Sequence, residues 1–236
     1  MRKQLVALTA AVVLLVSSAF AITDYGSPTV SRLWQPTTQG DRFVCTVSYI
    51  FPFVNEYVGW VVTAGHCITG GANYLRRSHE NTVISLVNWR AMLLGDLRYT
   101  LETVDLAIGT APDMRDGTKS RFWLADKFPT SGDVYIHGFP NGVERVTAAH
   151  VVPFASEKMK GSALVVVRTG EIAGGSSGSP VLNAQGQLVG ILWGKVPEQY
   201  VPLLELPRAL APGHEIAAVT PVEKLHELFR TLRVKS

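Results

Sequence analysis

The chain has little charge and lacks a repeating pattern, and each of these shortages excludes a class of protein. Charged residues make up 17% of its 236 residues against 47% hydrophobic residues, which excludes a largely disordered protein. The net charge is only +3 and no Lys/Arg block is present, so no nucleic-acid partner is expected. Heptads and internal repeats are also missing, which excludes a coiled coil and a solenoid.

The first 21 residues have the form of a secretory signal peptide. Arg2 and Lys3 precede an apolar run over 5–16, and Ala19-Phe20-Ala21 is an A-x-A cleavage site. The run is too short to span a bilayer comfortably. We therefore expect cleavage after Ala21, a mature chain over 22–236, and a secreted or periplasmic location without membrane contact. An uncleaved N-terminal anchor is the alternative.

Two cysteines are present, Cys45 and Cys67. An exported chain can keep a disulfide, and a single intramolecular pairing is possible. A bridge would stabilise the fold by roughly 3 kcal/mol in the chain-entropy description. A metal site that adds His66 is the alternative, but it lacks the usual ligand spacing and a fourth ligand. We predict the disulfide and no metal.

Short apolar and β-branched runs recur along the chain, separated by turn residues such as Pro140-Asn141-Gly142 and those at 183–186. Many short strands at this spacing predict an all-β sandwich or barrel. The predicted strands are 44–50, 57–63, 82–89, 104–110, 134–137, 147–152, 163–168, 179–182 and 188–193.

One segment near the end has helical periodicity instead. Thr220-Pro221-Val222-Glu223 has the Thr-x-x-Glu form of a capping box with proline at the first helical position. Apolar residues then recur at helical spacing. We predict a helix over 221–233 that packs on the β body, and a connection between two halves at 112–129.

His66 and Asp105 are the first two candidates for chemistry. His66 follows a predicted strand, and a bridge at Cys67 would hold it firmly enough to act as a general base. A hydrogen-bonded loop histidine is the alternative. Asp105 lies in the apolar run 104–108, where burial demands a partner, and an imidazole N–H would suit it. A solvent-facing aspartate is the alternative, and Asp96 is the second candidate acid.

The third candidate is a run of small residues, Gly174-Gly175-Ser176-Ser177-Gly178-Ser179-Pro180. Glycine permits unusual backbone angles and close approach by another segment. A serine in such a turn exposes its hydroxyl while neighbouring N–H groups converge on one point, as an oxyanion requires. A flexible loop is the alternative, although strand-like residues follow at once.

His66, Asp105 and Ser177 follow the order His, Asp, Ser, which is that of the chymotrypsin arrangement. The sequence resembles the trypsin-like (chymotrypsin-fold) serine endopeptidases, in their bacterial and viral branch, over roughly residues 40–233. Three segments are similar to the family signatures Thr-Ala-Ala-His-Cys, Asp-Ile/Leu-Ala and Gly-Asp-Ser-Gly-Gly-Pro: 63–67, 105–107 and 175–180.

The resemblance implies an all-β fold of two perpendicular six-stranded antiparallel Greek-key barrels with a C-terminal helix. The first barrel would cover about residues 30–115 and the second about 125–220, with the active site between them. The implied activity is hydrolysis of peptide bonds in protein or peptide substrates through an acyl-enzyme. We expect a monomer, and the mechanism needs no cofactor.

The resemblance also implies the site residues. Ser177 would be the nucleophile, His66 the general base and Asp105 the acid that orients it. The backbone N–H groups of Gly175 and Ser177 would form the oxyanion hole. The pair Cys45–Cys67 would be the disulfide of the histidine loop.

Substrate contacts are implied less directly. Glu171 would lie near the base of the pocket for the side chain preceding the cut, where a carboxylate favours Lys or Arg. Trp193 and Gly194 lie in a segment similar to the strand that pairs with the substrate backbone. A solvent-facing Glu171 is the alternative, as is a pocket for acidic side chains lined by His137, His150 or His214.

Departures from the family pattern raise further expectations. Ser176 stands where many members have an aspartate that binds a newly cut N-terminus, so we expect no activation of that kind. Leu192 stands where serine is frequent. Two other interpretations stay open: an α/β-hydrolase-type esterase with Ser176 as nucleophile, disfavoured because no helix is expected after it, and a non-catalytic binding protein on the same fold.

Overall fold

The computed structural model of the chain describes residues 30–51, 59–69, 71–72, 74–76, 83–85, 87–94, 104–111, 122–153, 161–204, 206 and 210–233. The predicted signal segment, Asp96 and residues 112–121 of the predicted connection lie outside the described residues. Strands dominate the described ranges, and they are β1 (Val30–Gln35), β2 (Arg42–Phe51), β3 (Gly59–Thr63), β4 (Tyr74–Arg76), β5 (Val83–Ser85), β6 (Val87–Leu94), β7 (Val104–Ala111), β8 (Phe122–Trp123), β9 (Asp133–Gly138), β10 (Arg145–Val151), β11 (Ala163–Arg168), β12 (Pro180–Leu182), β13 (Leu188–Lys195) and β14 (His214–Pro221).

The first half of the chain forms one sheet with the strand order β5-β4-β1-β2-β3-β7-β6, and β8 adds to β2 in parallel. All other pairs in this sheet are antiparallel. Only residue 86 separates β5 from β6 along the chain. The two ends of the strand order are therefore adjacent in sequence, and the sheet curls back toward itself.

The second half is a closed barrel of six antiparallel strands in the order β10-β11-β14-β13-β12-β9. Strand residues alternate between its two faces, as the exposed, buried, exposed order along β10 illustrates. Each strand sends at least one fully or nearly fully buried residue into a common core: Val134, Ala149, Val165, Val181, Val189 and Val219. The predicted all-β barrel architecture is confirmed.

Two further apolar clusters join the halves. One surrounds the cysteines and combines Val47 and Val61 of the first sheet with Trp193 of the barrel. The other combines residues of both sheets with the terminal helix, Val222–Arg233. The ring of Phe229 on this helix meets Trp60 edge-on, with centroids 5.2 Å apart. The predicted terminal helix and its packing on the β body are confirmed.

The predicted capping box at the start of this helix is wrong. Thr220 belongs to β14, and its hydroxyl is hydrogen-bonded to the backbone of Asp105. The carboxylate of Glu223 accepts a hydrogen bond from the Phe128 N–H instead. The helix begins at Val222. The capping box does not form because both of its side chains, those of Thr220 and Glu223, are hydrogen-bonded to residues distant in sequence.

The region after Ser176 settles one of the alternatives. Strand β12 and the hairpin to β13 follow it, whereas an α/β-hydrolase needs a helix directly after its serine. The α/β-hydrolase interpretation is therefore wrong. In the described ranges, no helix has the length and apolar character that crossing a bilayer requires.

Candidate active site

His66 and Asp105 are held together by two hydrogen bonds. His66 lies in a one-turn helix, Gly65–Thr69, directly after β3, and Asp105 lies in β7. The His66 N–H donates to Asp105 Oδ1 at 2.8 Å, and His66 Nδ1 contacts Asp105 Oδ2. With Nδ1 bound to a carboxylate, the proton of a neutral imidazole resides there and Nε2 is left as the basic nitrogen.

Burial differs sharply across this pair. The Asp105 side chain is 7% exposed and that of His66 is 47% exposed. A buried carboxylate must have hydrogen-bond donors, and Asp105 receives two from a single histidine. The exposed side of the imidazole is left open for a reacting group.

Thr220 fixes the backbone of Asp105 from the other half of the molecule. Its hydroxyl accepts from the Asp105 N–H at 3.2 Å and donates to the Asp105 carbonyl at 3.1 Å. Thr220 is buried in β14. We did not predict this contact from the sequence; the Thr-Pro pair indicated a helix start, and no local signal indicates a partner 115 residues away.

Cys45 and Cys67 form a disulfide, as predicted. It joins β2 to the one-turn helix and lies beside the imidazole, with His66 Nε2 3.8 Å from Cys67 Sγ. The two sulfur atoms and a His66 nitrogen lie within 4.8 Å of one another. Because the sulfur atoms are bonded to each other, they offer no thiolate ligand for a metal.

The small-residue loop is a series of tight turns that bury Ser176 and leave Ser177 half-buried. The hydroxyl of Ser176, a residue only 2% exposed, accepts a hydrogen bond from the Ala173 N–H at 3.1 Å. The Ser176 N–H donates back to the Ala173 carbonyl at 3.0 Å. Ser176 therefore stabilises its own turn through neutral hydrogen bonds. Ser177 is half-buried, and its hydroxyl donates to the Trp193 carbonyl at 3.1 Å.

Two glycines in this loop are required by geometry. Gly175 has φ +92°, and a Cβ there would lie 2.3 Å from a ring carbon of Phe43. Gly178 has φ +85°, and a Cβ there would lie 2.0 Å from the Thr46 carbonyl oxygen. Only glycine fits both the angle and the space. The sequence argument for close approach by another segment holds at both positions, and β2 contributes to that segment.

Two N–H groups of the loop, those of Gly175 and Ser177, have no hydrogen-bond acceptor among the described residues. The Asn141 N–H donates to the Gly174 carbonyl at 2.8 Å. The carbonyl and N–H of a trans peptide point in opposite directions, so the Gly175 N–H points away from Asn141. Free donors beside a serine hydroxyl are the arrangement that stabilises an oxyanion.

Thr46 joins the loop to the first sheet, and the sequence argument missed it. Its hydroxyl donates to the Gly175 carbonyl at 2.8 Å and accepts from the Phe139 N–H at 3.1 Å. Its own N–H donates to the Ser177 carbonyl at 2.8 Å. The neighbour of Thr46 is Cys45, so the disulfide has the Ser177 loop at one end and His66 at the other.

The described contacts leave one gap in this constellation. No hydrogen bond between Ser177 Oγ and His66 is present among the described residues, because the hydroxyl is directed to the Trp193 carbonyl. A rotation about the Cα–Cβ bond redirects a serine hydroxyl on the picosecond to nanosecond scale. Hydrogen bonds of this kind are often absent before substrate binds.

Trp193 and Gly194 lie at an irregularity of β13. The pairing of β13 with β14 shifts register between Leu192 and Gly194, which leaves the Trp193 carbonyl free to accept from Ser177. A Cβ at Gly194 would meet no described residue within 4 Å. The backbone at this point therefore has open space beside it, next to the small-residue loop.

Glu171 forms hydrogen bonds with two residues of the barrel that are not candidate site residues. Its carboxylate accepts from Arg145 Nη1 at 3.3 Å and from Thr147 Oγ1 at 3.1 Å, and the side chain is 29% exposed. Both partners lie on β10. The charge of Glu171 is thus already compensated by Arg145.

The other histidines considered for a pocket also have partners of their own. His137 Nε2 lies 2.9 Å from Glu144 Oε1, and His150 Nδ1 lies 2.9 Å from Asp133 Oδ1. Burial lowers the pKa of His137 below its ordinary value of 6.5, an effect that the hydrogen bond and the charge of Glu144 partly oppose. None of these contacts places an imidazole beside Ser177 within the described part of the chain.

Comparison with known proteins concerns the family and the fold of the chain. A family model described as a trypsin-like peptidase domain matches residues 52–191, more than half of the chain. None of the curated proteins matches the sequence significantly.

Solved structures similar in fold include the serine endoprotease from Yersinia pestis, with 17% identity and a TM-score of 0.60 over 90% of this chain and 65% of that chain. The Rv3671c protease from M. tuberculosis in its active form has 18% identity and a TM-score of 0.54, covering 88% and 81%. The HtrA-type protease AlgW with a tripeptide has 17% identity and a TM-score of 0.55, covering 91% and 63%. The chain belongs to the trypsin-like peptidase family and has the fold of its serine proteases.

Proposed function

We propose that the protein is an exported serine endopeptidase that cleaves peptide bonds through Ser177, His66 and Asp105. The observation that carries this proposal is the pairing of His66 with both carboxylate oxygens of Asp105. His66 is the neighbour of Cys67, and the other cysteine of the disulfide, Cys45, is the neighbour of Thr46, which binds the Ser177 loop. This arrangement leaves one imidazole nitrogen as a base, and the Ser177 loop offers two N–H groups that have no acceptor among the described residues.

The chemical steps follow from these roles. Ser177 Oγ attacks the carbonyl carbon of the substrate while His66 Nε2 takes its proton. The imidazolium that forms is stabilised by Asp105 and then gives its proton to the leaving amine nitrogen, which releases the first product. Water, deprotonated by Nε2, then attacks the acyl carbon. The ester bond to Ser177 Oγ breaks as Oγ takes the proton back from the imidazolium, and the second product leaves with a free carboxylate. No metal or organic cofactor takes part in these steps.

The charge on the carbonyl oxygen in each tetrahedral intermediate needs hydrogen-bond donors. The N–H groups of Gly175 and Ser177 serve as these donors, supported by their lack of another acceptor within the part of the chain that the structure describes. Loss of one such donor typically raises the barrier by about 2.7–4 kcal/mol. The Gly174 carbonyl must stay directed at Asn141 for the first donor to point correctly.

The substrate backbone is proposed to lie along the irregular part of β13. The Trp193 carbonyl, now bound to Ser177 Oγ, is released when the hydroxyl turns toward His66, and it can then accept an N–H from the substrate. Open space beside Gly194 leaves room for the chain. A monomer suffices for this chemistry because every proposed group belongs to one chain.

The preference for the residue before the cut remains a prediction. If Glu171 selects Lys or Arg, the substrate cation must compete with Arg145 for the carboxylate. A cleavage profile on a mixed peptide library tests this point. Enrichment of Lys or Arg that disappears in Glu171→Gln supports the role, and enrichment of other residues removes it.

Export is part of the proposal and rests on the N-terminal sequence together with the disulfide, which an oxidising compartment preserves. Cleavage after Ala21 is tested by determining the N-terminus of the protein recovered from the periplasm or the medium of an expressing cell.

The test of the activity uses the mature protein with casein and the peptide library. We expect hydrolysis by the wild type, loss in Ser177→Ala and retention in the matched control Ser176→Ala if that variant folds. Hydrolysis unchanged in Ser177→Ala overturns the assigned nucleophile. A folded wild type that cleaves nothing and resists a fluorophosphonate probe indicates the binding-protein alternative.

A further inference from the structure

Arg32 reaches from the first sheet to a turn of the barrel. It lies in β1, and its Nη2 donates to the Gly142 carbonyl at 2.8 Å. Its guanidinium carbon lies 4.9 Å from the centre of the Phe139 ring, within the range of a cation–π contact. Within the described residues, no carboxylate pairs with Arg32, and its Nε is buried without a hydrogen-bond partner. The cation is thus held by a backbone carbonyl and an aromatic face.

The turn that Arg32 holds has an unusual backbone. It is a short 3₁₀ segment, Pro140–Gly142, in which Asn141 has φ +52° and Gly142 has φ +80°. Among the described residues, Asn141 is alone in combining a positive φ with a side chain. Such conformations persist when surrounding contacts hold them in place, and the bond from Arg32 to Gly142 is a contact of that kind.

The position of the Pro140–Gly142 turn sets the orientation of the peptide between Gly174 and Gly175. The Asn141 N–H donates to the Gly174 carbonyl at 2.8 Å, so the Gly175 N–H is directed the opposite way. If this peptide rotated by half a turn, it would present a carbonyl oxygen where the proposed oxyanion site needs a donor. The orientation of one donor therefore depends on the position of Asn141.

We propose that Arg32 is a positioning residue for the oxyanion site: it holds the Pro140–Gly142 turn, whose Asn141 N–H keeps the Gly174–Gly175 peptide in the orientation that offers its N–H to the substrate. The inference rests on the proposed function. The inference names a contact that orders the small-residue loop of this chain. Such a contact is needed because Ser176 stands where many family members have an aspartate, and a serine cannot form that ion pair. Thr46 binds the Gly175 carbonyl from the same sheet and secures the next peptide independently.

The test compares Arg32→Met, which removes the charge and the donors, with Arg32→Lys and with Arg42→Met, an exposed arginine at the start of β2. Kinetic constants are measured on a peptide substrate, and dissociation constants on a peptide boronic acid, whose tetrahedral adduct uses the oxyanion donors. We expect Arg32→Met to lower kcat and boronate affinity by about tenfold or more with KM within about twofold. Arg32→Lys should recover part of the loss, and Arg42→Met should match the wild type.

Three outcomes overturn the inference. A folded Arg32→Met with unchanged kcat and boronate affinity removes it while leaving the proposed function intact. A loss in Arg32→Met confined to KM or to thermal stability assigns a purely structural role. A wild type that neither hydrolyses peptides nor binds the boronate removes the proposed function, and the inference with it. If Arg32→Met does not fold, the same constants for Arg32→Gln, which removes the charge and shortens the side chain, decide the question: unchanged kcat and boronate affinity in a folded Arg32→Gln overturn the inference.

Discussion

Two neighbouring glycines in the small-residue loop should respond very differently to substitution by alanine. Gly175 has φ +92°, and a Cβ there would lie 2.3 and 2.5 Å from two ring carbons of Phe43 and 2.7 Å from the Phe139 carbonyl oxygen. Gly174 lies outside the positive-φ range, and a Cβ there would meet none of the described residues within 4 Å. The two substitutions are the same in chemistry and differ in the space and backbone angle available.

The expected effect of Gly175→Ala has two parts. A side chain at this φ costs about 1–3 kcal/mol in stability. The backbone must also move, because the Phe139 carbonyl cannot rotate away as a side chain can. Displacement of the Gly175 N–H removes one oxyanion donor, which corresponds to about 2.7–4 kcal/mol in the barrier, or roughly 10²–10³ in kcat. Gly174→Ala should keep kcat within about threefold of the wild type.

The assay measures kcat and KM on a peptide identified by library cleavage, with the melting temperature of each variant as a folding control. The double variant Phe43→Ala/Gly175→Ala removes the two ring contacts but leaves the positive φ and the backbone contact, so only partial recovery is expected. Wild-type kcat in Gly175→Ala, or an equal loss in Gly174→Ala, would refute the assignment of the Gly175 N–H as a donor.

Three further predictions concern stability. Thr46→Val should lower the free energy of unfolding, measured by urea titration, by about 1–3 kcal/mol because two buried backbone groups lose their partner. The exposed control Thr37→Val should change it by less than about 0.5 kcal/mol. Equal effects of the two substitutions would contradict the role of Thr46. Because the pKa of His137 is lowered in the folded state, the unfolded chain takes up a proton first, and stability should fall as the pH drops below about 6.5. The variant His137→Gln should flatten that part of the curve of unfolding free energy against pH, and an unchanged curve in this variant would contradict the contribution of His137. Replacement of Cys45 and Cys67 by serine should cost roughly 3 kcal/mol, and identical unfolding curves with and without the bridge would exclude that stabilisation.

Much of the fold could be predicted from local pattern. The strand predicted at 163–168 matches β11, and the turn residues at 183–186 do connect β12 to β13, where the Asn183 carboxamide oxygen accepts two backbone N–H groups. Strands β1, β4, β8 and β14 were missed. Arg32 interrupts the apolar pattern of β1, and the Thr-Pro pair at the end of β14 indicated a helix start. Both strands depend on partners distant in sequence, which local pattern does not reveal.

The candidate site also contains residues that local pattern predicts and residues that it does not reveal. The candidate residues His66, Asp105 and Ser177 could be named because each stands in a short segment with an unusual local composition. The residues that hold them could not, because an ordinary threonine or arginine in a strand carries no local signal. Such contacts join Thr46 to the loop across 129 residues and Arg32 to its turn across 110. Only the packing of the two halves creates them.

The most direct test of the central claim is to locate the adduct of a fluorophosphonate on the mature protein by peptide mass spectrometry. The probe reacts with a serine hydroxyl that a neighbouring base activates. We predict one adduct, on Ser177, and much slower labelling when Asp105→Asn removes the carboxylate that orients His66. An adduct on Ser176, or a folded protein that takes up no probe, would contradict the account.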